Sequence, residues 1–253
     1  MKALKMAVLA LGTLGVCVAG YAGKEIHRIL NGKPNVSDSF LYTAHSGCEN
    51  TADNSTEFLE KAIALGVPVL EVDVTVRNDG TPVLLHADCA GEDEGLLLDD
   101  AFRFIAEKSD SVQINLDLKA FSNIPRIAEL AEQYNLTGRC FFTGVEADQT
   151  QTVKIDAPNI PYYLNMDLNK MRLEDEGYLR SAALEVQRCG AVGVNCQYRN
   201  ASKKLIEIFH AEGLKVSLWT ADNPLVMRNL LLLGPDNITT RRPILLASLL
   251  PQA

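Results

Sequence analysis

The chain has 253 residues, 47% hydrophobic and 22% charged, the proportions of a soluble globular protein with material for one large domain. That excludes a disordered, collagen-like or small disulfide-built chain. Lys plus Arg total 24 against 32 for Asp plus Glu, a net charge of −8 with no basic run, so nucleic acid is not an expected partner.

Lys2 and Lys5 precede an uncharged stretch from Met6 to Gly23, and Lys24 closes it. A positive flank before an apolar run is the directional pattern of a secretory signal or an uncleaved N-terminal anchor. Gly20 and Ala22 supply a small-x-small cleavage pattern. Residues 1–23 are therefore expected to be a signal peptide or membrane anchor, with the protein exported or membrane-anchored. A buried N-terminal helix is the alternative. Without Lys2 and Lys5 the 24 basic residues fall to 22 against 32 acidic, a net of −10. A polar linker, 24–39, then leads into a single domain, 40–250.

In that domain short apolar runs alternate with amphipathic stretches. Strands are predicted at Phe40–His45, Val69–Val76, Gln113–Lys119, Cys140–Gly144, Tyr162–Met166, Val192–Cys196, Lys215–Thr220 and Asn237–Thr240. The first helix presents Phe58, Leu59, Ala62 and Ile63 on one face and stops at Gly66. Further helices are predicted near Pro125–Tyr134, Leu173–Arg188, Ser202–Ala211 and Pro224–Leu233. Eight strands with crossover helices imply an α/β fold, a (β/α)8 barrel. A doubly wound open sheet is the rival, although no GxGxxG follows the first strand. Val72–Arg77, Asn78-Asp79-Gly80 and Pro82–His86 read as a β-hairpin extending strand 2, because Asp-Gly supplies the positive φ of a tight turn. It would fold back over the mouth and carry His86 there. The six cysteines contain no CxxC pair, and the five beyond the leader cannot form a closed framework. One or two bridges remain open, and most of these cysteines are expected to be buried as small hydrophobes.

Polar residues on these apolar strands carry the functional signal. In Val69-Leu70-Glu71-Val72-Asp73-Val74, Glu71 and Asp73 share a face about 6.5 Å apart. Paired carboxylates are costly to bury unless a hard divalent cation takes oxygens from both; a half-exposed strand with surface acids is the bland alternative. In the next strand Asn115, Asp117 and Lys119 alternate with Ile114, Leu116 and Leu118. Asp117 can complete a three-carboxylate site and Lys119 can meet a phosphate, or the two can form a structural ion pair. His45 and His86 both end apolar runs, where barrel enzymes keep their chemistry, and together suggest an acid–base pair. His27 and His210 carry no such context.

This ordered set resembles the glycerophosphodiester phosphodiesterases, from about Leu41 to Leu246. Ala44-His45-Ser46-Gly47 is similar to that family's His-Arg-Gly opening, and Ala52-Asp53-Asn54-Ser55 to its Pro-Glu-Asn-Thr. Glu71-Val72-Asp73-Val74, Asp79-Gly80-Thr81-Pro82-Val83 through His86, Asp117-Leu118-Lys119, Leu218-Trp219-Thr220 and the closing stretch Gly234 to Pro243 continue the match. The resemblance implies one divalent cation, Mg2+ or Ca2+, on Glu71, Asp73 and Asp117, with His45 and His86 as the acid–base pair. It further implies Lys119 on phosphate, Asn54 on the phosphate side, Ser46 at the arginine's substrate position and Trp219 as an apolar wall. A Trp in such a strand is otherwise a core residue.

The departures are specific. Ser46 replaces the family's arginine and its bidentate phosphate contact. Asp53 and Asp117 each replace glutamate, Ala87 and Arg241 each replace aspartate, and only ten residues, Ala87 to Leu96, follow His86 where the family has a longer insertion. Arg241 is expected to restore the charge lost at Ser46, since both residues end barrel strands. The expected reaction is hydrolysis of a glycerophosphodiester, with His45 as base and His86 as acid. Two alternatives stay open: a phosphodiesterase acting on lysophospholipid at a membrane surface, and an inactive barrel that binds a phosphate-bearing ligand.

Overall fold

The computed structural model describes residues 23–24 and 26–251. Residues 1–22 of the expected leader lie outside the described residues. Among the described residues no helix is long and apolar enough to cross a membrane.

Among the described residues from Leu41 onward, ten strands and eight α-helices follow in order: β1 (Leu41–Ala44), α1 (Thr56–Ala64), β2 (Val69–Val76), β3 (Pro82–Leu84), β4 (Leu96–Leu97), α2 (Leu98–Lys108), β5 (Gln113–Leu118), α3 (Ile124–Gln133), β6 (Cys140–Val145), α4 (Thr150–Asp156), β7 (Tyr162–Asn165), α5 (Glu176–Cys189), β8 (Gly193–Gln197), α6 (Lys203–Ala211), β9 (Lys215–Trp219), α7 (Pro224–Leu233), β10 (Asn237–Thr240) and α8 (Pro243–Ser248). Eight of the strands close a parallel ring, β1-β2-β5-β6-β7-β8-β9-β10, because β1 pairs with both β2 and β10. An open sheet would leave β1 or β10 with a free edge. The fold is therefore the expected (β/α)8 barrel.

The apolar core lies in the ring between strands and helices. Leu70, Val72, Ile114, Leu116, Phe142, Val194, Val216 and Ile238 are buried there against Phe58, Phe102, Ile127 and Phe209. The alternate positions on the same strands are polar: Thr43, Glu71, Asn115, Thr143, Asn195, Ser217, Asn237 and Thr239, all buried. They satisfy one another across the lumen, as where Thr43 Oγ1 donates to Asn237 Oδ1 at 2.8 Å and Asn237 Nδ2 to Ser217 Oγ at 3.0 Å. Period-two alternation thus separates an apolar outer layer from a polar interior.

The hairpin is present as β2–β3, with Val74 opposite Leu84 and Val76 opposite Pro82. After the segment 85–95, which carries His86, the two-residue strand β4 pairs antiparallel with β3 and leads directly into α2. Three helices, α2, α4 and α8, are absent from the sequence expectation. α2 has clear helical spacing, with Leu98, Ala101, Phe102 and Ile105 buried, but its first residue continues the apolar run of β4. At seven and six residues, α4 and α8 are too short to carry a periodic signal. The five cysteines among the described residues are unbonded, and Cys48, Cys140 and Cys196 are buried as expected.

Candidate active site

Parallel pairing of β2 with β5 sets Glu71 beside Asn115 and Asp73 beside Asp117. The resulting carboxylates of Glu71, Asp73 and Asp117 lie within 4.8 Å of one another. They line a cavity of about 350 Å³ at the C-terminal ends of the strands, together with His45, His86 and Lys119. Six of the residues chosen from sequence therefore converge on one cavity, and Trp219 joins them on its far wall.

Asp73 is the most heavily engaged of the three acids. Asn54 donates Nδ2 to its Oδ2 at 2.8 Å and accepts the Asp73 amide at 2.9 Å. Ser46 Oγ donates to Oδ2 at 3.3 Å, while His86 Nδ1 and Lys119 Nζ each lie 3.0 Å from Oδ1. Lys119 also pairs with Asp117, so the anticipated Asp117–Lys119 ion pair is present within the acidic cluster. Burial pushes the Asp73 carboxyl up, but Lys119 and the Asn54 hydrogen bond outweigh it and hold the group below the usual range. Lys119 is raised in turn: the charges of Asp117 and Asp73 overcome its partial burial.

Glu71 behaves oppositely. Complete burial, and then the charges of Asp117 and Asp73, push its carboxyl well above the ordinary carboxylate range. The Ser46 amide, 3.1 Å from Oε2, opposes this only partly. Three oxygen-donor acids with one lysine among them carry an excess of negative charge that a hard divalent cation would relieve, and the donor set fits such an ion.

The two histidines reach the cavity by different routes. His45 follows β1 directly and is only 20% exposed. Its Nδ1 lies 3.1 Å from the Ser46 carbonyl, which can only accept, so the proton sits on Nδ1. Desolvation lowers its pKa. His86 arrives on the hairpin: the Leu85 amide bonds the Asp73 carbonyl at 3.1 Å, returning the chain to the carboxylates, while the His86 side chain stays 69% exposed. Neither Nε2 has a hydrogen-bond partner among the described residues.

Two expected substrate residues sit elsewhere than in the cavity wall. Ser46 is fully buried beneath the acids, and its amide and hydroxyl are engaged by Glu71 and Asp73. Asn54 is buried, and both ends of its amide are used on Asp73. Arg241 does lie beside Ser46, with Nη1 donating to the Ser46 carbonyl at 2.7 Å and its guanidinium paired with Asp53.

The rest of the cavity is neutral and was not singled out from sequence. Thr143, Gly144, Asn165, Asn195 and Thr239 line it, with Asn115 and Thr220. Thr143 Oγ1 lies 2.6 Å from Asp117 Oδ1, and Asn195 Nδ2 donates to Asn165 Oδ1 at 2.9 Å. Gly144 has φ +75 and an added Cβ would fall 2.4 Å from the Leu118 carbonyl, so glycine lets β6 close on β5 beside Asp117. The available signal was a polar residue at the C-terminal end of each later strand, where barrel sites are built. Asn165, Asn195 and Trp219 are shared with an adjoining cavity of about 510 Å³ that also takes in Glu146, Met166 and Asp167. The Trp219 indole nitrogen is buried without a partner.

Comparison with known proteins agrees with this architecture. The sequence pattern of the Glycerophosphoryl diester phosphodiesterase family matches residues 98–245. A glycerophosphodiester phosphodiesterase of Caldanaerobacter subterraneus subsp. tengcongensis is 24% identical over 236 residues, spanning 83% of this chain and 97% of its own. Among solved structures, a glycerophosphodiester phosphodiesterase from Parabacteroides distasonis superposes with a TM-score of 0.68 at 19% identity, covering 86% of this chain and 98% of its own. An Oleispira antarctica phosphodiesterase, solved with the product sn-glycerol-3-phosphate, superposes with a TM-score of 0.68 at 18% identity, covering 83% and 96%.

Proposed function

The chain belongs to the glycerophosphoryl diester phosphodiesterase family, enzymes that hydrolyse phosphodiesters, and from that premise we propose that it cleaves water-soluble glycerophosphodiesters to an alcohol and glycerol phosphate by cation-dependent His/His acid–base catalysis. The observation that carries this reading is the meeting of Glu71, Asp73 and Asp117 with His45 and His86 in one cavity.

In this reading the three carboxylates hold one divalent cation, Mg2+ or Ca2+. Bound there, it supplies Lewis-acid polarisation of the phosphoryl oxygens and eases deprotonation of the nucleophile. Lys119, cationic and between Asp73 and Asp117, offers positive charge to the phosphate. His45 acts as base: with the proton on Nδ1 and its pKa lowered by burial, Nε2 is free to accept a proton from water or from the glycerol hydroxyl. Attack by that hydroxyl would give a cyclic phosphate first. His86, held through Nδ1 by Asp73, protonates the departing alcohol from Nε2. Trp219 forms an apolar wall beside the alcohol.

The soluble substrate is favoured over a lysophospholipid by where the N-terminal segment joins. Asn35 N bonds the Leu231 carbonyl at 2.7 Å, near the C-terminal end of α7. Helices of this barrel run opposite to the strands, so the attachment lies at the end away from the mouth. A chain anchored ahead of Asn35 would thus have its mouth at the opposite end of the barrel from that attachment.

The test is hydrolysis of glycerophosphocholine and lysophosphatidylcholine by the full chain with Mg2+, with Ca2+ and with chelator, beside His45→Ala and His86→Ala. Cation-dependent release of glycerol phosphate from glycerophosphocholine is expected, falling about 10²–10⁴-fold in each variant. Preference for lysophosphatidylcholine would replace the soluble reading with the membrane-surface one. No turnover on either would leave a ligand-binding barrel.

A further inference from the structure

We propose that Arg241, paired with Asp53, is a positioning residue that fixes the His45–Gly47 turn and through it the His45 imidazole. The guanidinium makes three bonds: Nη1 to Asp53 Oδ1 at 2.6 Å and to the Ser46 carbonyl at 2.7 Å, and Nη2 to Asp53 Oδ2 at 3.1 Å. The Ser46 carbonyl is the same oxygen that receives His45 Nδ1 at 3.1 Å. Arg241 therefore grips the peptide that sets both the tautomer and the ring orientation of His45.

The pair also joins two loops that support the acids. Ser46 contacts Glu71 and Asp73, and Asn54, next in sequence to Asp53, clamps Asp73 from the other side. Arg241 follows β10, so the pair fastens this support across the seam where the last barrel strand meets the first. Its own backbone is held there: Asp222 Oδ1 accepts the Arg241 amide at 2.7 Å and the Arg241 carbonyl accepts the Glu49 amide at 2.8 Å.

Gly47 provides independent support. An added Cβ would fall 1.9 Å from Asp53 Oδ1 and 2.8 Å from Arg241 Nη1, and the residue has φ +73. The turn leaves out a side chain where the ion pair lies against it. Arg241 and Asp53 are 38% and 50% exposed, and an exposed ion pair by itself contributes little to stability. What it does contribute here is position. Arg241 does not line the catalytic cavity, so its loss is expected to act through His45 and not through substrate binding. The family resemblance puts aspartate at 241 and arginine at 46, so this contact belongs to the chain's own departures.

The test compares Arg241→Ala, Asp53→Ala, the double variant and Arg241→Lys in the full chain. Long-range ¹H–¹⁵N spectra of the four histidines, with His45 assigned through His45→Ala, are read beside kcat and KM for glycerophosphocholine. The His45 ring nitrogens are expected to shift in both alanine variants while those of His210 stay in place. The kinetic arm rests on the phosphodiesterase reading: kcat falls about 10–100-fold with KM little changed. The double variant should be no worse than Arg241→Ala, with part of the loss restored by lysine. Should an alanine variant fail to fold, Arg241→Lys and Asp53→Asn carry the same readouts. Unmoved His45 signals overturn the proposal, and so does a raised KM with kcat retained, which would make Arg241 a substrate contact. The spectra need no substrate, so a chain without phosphodiesterase activity still answers the positioning question.

Discussion

The two halves of the barrel mouth solve the problem of buried polarity differently. On the β1–β5 side, three carboxylates crowd around one lysine and two histidines, and Glu71 is driven far from its ordinary ionisation. On the β6–β10 side the polar residues are neutral: Asn165 accepts from Asn195 and from the Gly144 amide, and Thr143 hydrogen-bonds across to Asn115 and Asp117. The neutral half carries no net charge to balance, and the buried Trp219 indole nitrogen is its unmatched group. The charged half keeps an excess of negative charge that an added cation would relieve, and this imbalance is what marks it as the reacting surface and the other as the shaping one.

Removing a carboxylate should break that contrast most severely. Asp73→Asn is expected to abolish the Tm rise produced by Mg2+ or Ca2+ and to lower kcat/KM by about 10³-fold, since several kcal/mol of charge stabilisation go with the cation. Retention of both properties would place the ion elsewhere.

Acidity should weaken cation binding to the same half in a graded way. Because the folded-state pKa of Glu71 lies above its unfolded value, its contribution to the apo fold is fully present below the unfolded pKa and is lost as pH rises through the raised one. A cation must displace that proton. Its affinity is therefore expected to fall by up to about tenfold per pH unit on acidification below the raised pKa. Calorimetric titration between pH 8 and pH 5 measures this; a pH-independent affinity would mean Glu71 is not a ligand.

Substitutions in the neutral half sharpen the comparison by doing less. Trp219→Ala is expected to raise KM for glycerophosphocholine about tenfold while leaving cation binding intact. Asn195→Ala removes the 2.9 Å bond to Asn165 and should cost about 1 kcal/mol, read as a small drop in Tm. If either abolished cation binding, the division of the mouth would be wrong.

Much of the charged half was legible because its signal is local. Glu71 and Asp73 stand out against aliphatic neighbours at period two, and Asp79-Gly80 marks the hairpin that delivers His86. Asn54 and Ser46 were legible as members of the site but not in their use: each contacts the acids, and only packing decides that Asn54 spends its whole amide on Asp73. Apart from Trp219, the neutral half was missed because single Thr and Asn residues at strand ends look like ordinary strand termini until the strands form a ring. The helix at Leu98–Lys108 was hidden by the apolar triplet Leu96 to Leu98, two residues of which do form a strand.

By itself the sequence determined most of the alternation of strands and helices, the apolar outer layer and the acidic strand pair, while closure into a barrel instead of an open sheet was decided by β1 pairing with both β2 and β10. Each of these depends on residues within a few positions of one another. The tertiary structure alone decided which side chains meet across the closure. Asp53 and Arg241 stand 188 residues apart, and they touch because β1 pairs with β10. No local periodicity encodes a contact made by closing a ring.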